Sequence, residues 1–226
     1  MTLSLAVFTP LCVAQSASSE SNVVIDDRRW RIENLSFDLE TDATAEQTLL
    51  RERAAFEHAR AADRVACRDE LRRSNKSTLM TVMLRCFSND LNRTKGFALH
   101  QRSYAETISA VKAAVRQEAL KKVDAFTDAI DTILFAIQSG VYETHEDLRE
   151  AKSNLTAKYQ QPMWHALLNA RVDRSLTWIA HVLSYPDAPA CIKAPEAKLR
   201  SSTTVPSGTF RTELGNLRLC LAESAQ

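Results

Sequence analysis

The sequence predicts an all-α fold, an antiparallel bundle of long helices with a disulfide-tied C-terminal tail. Three observations carry that expectation. From Ala98 to Gln138 no Gly or Pro interrupts the chain, and apolar side chains recur at Ile108, Val111, Val115, Ala119, Val123, Phe126, Ile130, Ile133 and Ile137. Steps of three and four place all of them on one side of an α-helix. The chain holds only four glycines and six prolines in 226 residues, too few for the turns of a many-stranded β fold or for a Gly-rich phosphate loop. Four cysteines, Cys67, Cys86, Cys191 and Cys220, lie beyond the N-terminal segment and form an even set suited to two disulfides.

Charge narrows the field further. Basic side chains number 29 and acidic ones 28, so no net field draws the chain to nucleic acid or to an anionic membrane. Residues Leu3–Ala14 form an uncharged apolar run followed by small polar residues, the pattern of a secretory signal cut after Ala14 or after Ser16–Ala17. The basic residue that normally precedes such a run is missing, which leaves a buried N-terminal segment as the alternative. Residues 1–17 are therefore assigned to a cleaved signal that takes Cys12 with it, and the mature protein to a secreted or periplasmic setting. No later stretch has the uncharged length of a transmembrane helix.

Residues 18–44 read as an extended arm, because Trp30, Ile32, Leu35, Phe37 and Leu39 alternate with polar neighbours over Val23–Glu40. The bundle is placed at 45–185. Its first helix, to Arg73, is rich in Ala, Arg and Glu. Ser74–Ser77 turns the chain, and Thr78–Arg93 follows with Met80, Met83, Phe87 and Leu91 on one face. The turn lies midway between Cys67 and Cys86, so of the three connectivities open to four cysteines the spacing favours a Cys67–Cys86 bridge across a helical hairpin. Gly96 is expected to separate this hairpin from the long central helix.

Gly140 suits the left-handed turn after that helix, and Thr144 a cap for the next. The next helix is expected over His145–Ser184, with Leu148, Leu155, Tyr159, Met163 and Leu167 inward, a change of phase near Arg171–Arg174, and a kink at Gln160–Gln161 forced by Pro162. The long helices should pack in the manner of a coiled coil. In the tail, 186–226, the stripe Phe210, Leu214, Leu217 and Leu221 favours a helix over a β-hairpin around Gly215–Asn216.

Catalytic signatures are sparse. None of the five histidines stands at the spacing of a helical zinc site; His145–Glu146 begins like one, but Arg149 occupies the second ligand position. There is no GxSxG elbow, and nothing points to a cofactor or a metal. Arg60, Arg64, Arg68 and Arg72, followed by Arg73, form a basic ridge on the first long helix. Such a ridge could hold a protein or polymer partner, although Glu57, Asp63, Asp69 and Glu70 are interleaved for local ion pairs and no aromatics accompany it for nucleic-acid stacking. Met163, Trp164, Leu167 and Trp178 could line a cavity for a small apolar ligand or simply belong to the core. Four sequons, at Asn34, Asn75, Asn92 and Asn154, would accept glycans in a eukaryotic secretory pathway. The expected function is that of an exported, non-catalytic binding protein; a carrier of an apolar ligand and an uncharacterised hydrolase are the alternatives.

Overall fold

A computed structural model describes residues 20–186, 188–201 and 206–224, with side chains described from Thr44 onward except at positions 45, 46 and 49. The expected signal and Cys12 lie outside the described residues. Every described element is helical: α1 Glu20–Arg73, α2 Leu79–Thr107, α3 Ala113–Gln138, α4 His145–Leu155, a π-helical turn Thr156–Gln160, α5 Gln161–Leu183, a 3-10 turn Ala190–Ile192, α6 Lys193–Arg200 and α7 Ser207–Ser224.

The expected arm does not form. Val23–Glu40 lies within α1, because no Gly or Pro interrupts Glu20–Arg73 and the residues between the alternating apolar ones include Arg and Glu, good helix formers. Gly96 does not divide the chain either. It sits exposed inside α2, with no atom within 4 Å of where a Cβ would stand.

The central run, in contrast, is broken where no sequence signal announced it. Helix α2 ends at Thr107, Ala110 adopts φ 55°, and α3 begins at Ala113. The cause is tertiary. Asp173, buried on α5, accepts hydrogen bonds from the Lys112 backbone N–H at 2.8 Å and from Lys112 Nζ at 2.6 Å, supplying from another helix the cap that α3 lacks. Arg116 donates to the Ile108 carbonyl at 2.5 Å and so satisfies one of the last acceptors of α2. The apolar stripe survives the break, since Ile108, Ala119, Val123, Phe126, Ile130 and Ile133 are all buried.

Local signals decide the next junction. Gly140 has φ 71°, and Thr144 with Asp147 forms a reciprocal capping box at the start of α4. Pro162 cannot donate to the turn before it, and the chain absorbs the mismatch in the π-helical turn, which ends at Gln160. The wider turn shifts the helical phase, so Tyr159, expected inward, is 38% exposed, while Leu155, Met163 and Leu167 are buried.

Two cores result. One is shared by α2, α3, the end of α4 and the first half of α5, centred on Val123, Phe126, Ile130 and Met163. The other begins at Val172, within the Arg171–Arg174 stretch where a change of phase is expected, and joins the second half of α5 to Ile192, Leu199, Phe210, Leu214, Leu217 and Leu221. The tail is thus helical, and the whole stripe that favoured a helix is buried. Both disulfides are formed, Cys67–Cys86 between α1 and α2 and Cys191–Cys220 between the 3-10 turn and α7, with Cα separations of 5.9 and 5.8 Å.

Candidate binding surfaces

Helix α1 lies against α2 through a ladder of polar ties. His100 Nε2 meets Glu52 at 2.7 Å, Phe56 stacks on Phe97 with ring centroids 4.4 Å apart, Arg93 donates to Asp63 at 2.6 Å, and Arg85 pairs with Glu70. The strongest rung is Arg60, which grips Asp90 with two parallel hydrogen bonds of 2.5 and 2.8 Å. Burial works to raise the Asp90 carboxyl, but the hydrogen bond and charge of Arg60, helped by the charges of Lys152 and Arg64, outweigh it and hold the group below the ordinary carboxylate range. In return, the hydrogen bond from Arg60 to Asp90 raises the guanidinium.

This ladder divides the arginine ridge. Arg60 is a structural rung with only 14% of its side chain exposed. Arg72 and Arg73 stay at the exposed end of α1, near Asp69. Arg64 and Arg68 instead line a groove of about 960 Å³ between α1, α2 and α4. The disulfide Cys67–Cys86 lies in its wall, together with Leu71, Met83, Phe87 and Leu148. Its three acidic lining residues, Asp63, Glu70 and Asp90, are each held by an arginine, whereas Arg64, Arg68 and Lys152 make no ion pair among the described residues. The groove therefore combines the apolar side chains of Leu71, Met83, Phe87 and Leu148 with exposed positive charge that no direct ion pair among the described residues ties down, Arg64 and Lys152 acting on Asp90 only through space.

Sequence reasoning found Arg64 and Arg68 but not Lys152, Arg149 or Arg93, which reach the same groove from α4 and α2. The spacing of Arg149 and Lys152 near the end of an amphipathic helix was the available signal. The sequons are scattered. Asn75 is exposed in the α1–α2 turn, and its Oδ1 accepts from the Thr78 backbone N–H at 3.1 Å. Asn92 is exposed on the groove, Asn154 is half-buried at the end of α4, and the side chain of Asn34 lies outside the described residues.

The four residues nominated for an apolar cavity do not converge. Trp164 and Leu167 line a pocket of about 430 Å³ between α1, α2, α5 and the start of α7. Met163 is buried behind it, and Trp178, on the far side of the phase change, packs against the second core. Arg53 lies over the Trp164 ring at 5.3 Å, so the pocket is not purely apolar. No group of three or more His, Cys, Asp or Glu suited to a metal occurs among the described residues, and no described helix is long and apolar enough to cross a membrane. In comparisons with known protein families, curated proteins and solved structures, nothing matches this chain.

Proposed function

We propose that this is an exported, non-catalytic binding protein whose groove between α1, α2 and α4 receives an acidic polypeptide segment with apolar side chains. One observation carries the reading: the groove's acids are already engaged, while Arg64, Arg68 and Lys152 remain beside apolar side chains. An acidic partner would complement that charge, and its apolar residues would cover Leu71, Met83, Phe87 and Leu148. A sulfated polysaccharide would satisfy the arginines and leave those apolar side chains wet, so a polypeptide is the better fit. Two disulfides favour an oxidising compartment, and export requires that residues 1–17 act as a cleaved signal.

Fluorescence anisotropy of a labelled Glu/Leu amphipathic peptide, with its Lys/Leu counterpart as control, tests the binding. The acidic peptide is expected to bind, to weaken as salt is raised, and to be released by Arg64→Glu combined with Arg68→Glu. Equal binding of the two peptides, or binding unaffected by the charge reversal, overturns the proposal. Mass and N-terminal sequence of the natural product test export, which requires a start after residue 14 or 17 and no free thiol at the four cysteines.

A further inference from the structure

The Cys67–Cys86 bridge has a chemical setting that peptide binding leaves unused. Both residues are half-buried in the wall of the groove, within reach of a small molecule that enters it. Among its described residues the groove is lined by six Arg or Lys side chains against three Asp or Glu. Two of the six stand beside the bridge in the chain: Arg68 follows Cys67, and Arg64 lies one helical turn before it. Both are exposed, and neither makes an ion pair among the described residues. We infer that Cys67–Cys86 is a thiol–disulfide exchange site for small anionic thiols, which it oxidises to their own disulfide while it is reduced to a dithiol.

The reaction is two exchanges in sequence. A thiolate attacks one sulfur of the bridge; a new S–S bond forms as Cys67–Cys86 breaks, and the electron pair leaves with the displaced cysteine thiolate, which takes a proton from solvent. A second thiolate attacks the mixed disulfide at the sulfur of the first small thiol. This step releases the small disulfide and the second protein thiol, so the two electrons given up by the small thiols end in the dithiol. The cationic lining helps at both ends of each exchange. It concentrates an anionic thiol in the groove, and it steadies the departing thiolate, because a thiol beside guanidinium groups ionises more readily and a thiolate of lower pKa leaves faster.

The second bridge is set differently. Cys191 is exposed, but Cys220 is only 5% exposed and belongs to the apolar cluster that holds Leu217 and Leu221. Attack at Cys191 has to expel a thiolate into apolar surroundings, where its charge is disfavoured, and attack at Cys220 is shielded by packing. Reduction of Cys67–Cys86 also leaves its two thiols opposite each other. Arg85–Glu70 ties α1 to α2 on the turn side of the bridge, and Arg93–Asp63 and Arg60–Asp90 tie them on the other side. The same pair can then re-form. The inference uses the charge of the groove and does not require a polypeptide to bind there.

The test uses the full oxidised chain under native conditions and three thiols of different charge: anionic glutathione, neutral 2-mercaptoethanol and cationic cysteamine. Free thiols are trapped with iodoacetamide at timed intervals and located by peptide mapping. Cys191–Cys220 serves as the internal reference that cancels the intrinsic reactivity of each probe. With glutathione, Cys67–Cys86 should be reduced about tenfold faster than Cys191–Cys220, and that ratio should fall from glutathione to 2-mercaptoethanol to cysteamine. Arg64→Gln combined with Arg68→Gln changes two exposed positions of α1, so the variant should fold as the wild type does. It should slow reduction of Cys67–Cys86 by glutathione severalfold and leave Cys191–Cys220 unchanged. Glutathione disulfide added to the reduced chain should restore the same Cys67–Cys86 pair. Reduction of both bridges at one rate, no response to the loss of Arg64 and Arg68, or return of other pairings overturns the inference. So does a ratio that is the same for all three thiols, the result that mere local opening of the α1–α2 turn would give. The Glu/Leu peptide carries no thiol, so a chain that exchanges with glutathione but ignores the peptide, or the reverse, tells failure here from failure of the peptide-binding proposal.

Discussion

Two helix pairs in this molecule are joined by a disulfide, and the bond is set in opposite surroundings. Between α1 and α2, Cys67–Cys86 closes a hairpin in which no described side chain of α1 is fully buried; the other ties are ion pairs, one hydrogen-bonded histidine and one aromatic stack. Between the 3-10 turn and α7, Cys220 is buried in the cluster that holds Ile192, Leu199, Leu217 and Leu221, each at most 1% exposed, while its partner Cys191 is exposed at the edge of that cluster. Apolar burial holds the C-terminal unit together, and its bridge reinforces a packed core. The hairpin lacks that resource, so its bridge and the half-buried Arg60–Asp90 rung carry the attachment. An exposed groove can exist beside α1 for the same reason: helices held apart by polar ladders leave space that a dry interface would close.

The largest expected effect strikes the C-terminal core. Leu217→Ala should cost about 4 kcal/mol by removing a fully buried side chain, seen as a lower denaturation midpoint and faster amide exchange along α7 even with Cys191–Cys220 intact. A loss under about 1 kcal/mol would mean that the bridge, not burial, holds this unit. Next comes the double change Cys67→Ser and Cys86→Ser, worth about 3 kcal/mol in the chain-entropy view. Its exchange signature should concentrate around the α1–α2 turn and spare α7; uniform acceleration through the chain would erase the contrast between the two pairs.

Asp90→Asn should cost about 2 kcal/mol, because it leaves the half-buried Arg60 without its ionic partner. The same rung gives the hairpin an acid limit. The folded pKa of Asp90 lies below the unfolded value of about 3.9. Its contribution is therefore complete above about pH 4 and is lost as pH falls through the lower folded value. Circular dichroism and limited proteolysis of the wild type should show the Ser74–Ser77 end yielding to acid earlier than it does in a variant where Arg60 and Asp90 are both replaced by apolar residues. The smallest change is a gain. Gly96→Ala should stabilise α2 by about 1 kcal/mol, since the site is helical, exposed and uncrowded.

How far the sequence could be read depended on where each instruction lies. The stripe of α3, the cap at Thr144, the turn at Gly140 and the helical tail follow from steps of three and four or from close neighbours, the pairing of Cys67 with Cys86 from a turn midway between two residues nineteen apart, and the structure bears each of them out. What could not be read depends on remote partners. Nothing near Ala110 says that α2 must end, and the alternation of Val23–Glu40 has no strand to pair with among the described residues. The arginine ridge was visible as spacing, but its division into a rung at Arg60 and groove residues at Arg64 and Arg68 depends on Asp90, thirty positions beyond the first of them. The pocket beside Trp164 is lined from four helices, so no window of sequence contains it.

The carboxylate of Asp173 reaches across sixty-one positions to end one rod and start another. A bend fixed in that way is only partly written in its own residues: end the polypeptide between α3 and α5 and the corner at Ala110 loses the only acceptor described for its Lys112 amide, while every residue of the corner itself remains. Exchanging this segment into another scaffold would transfer the letters and leave the angle behind.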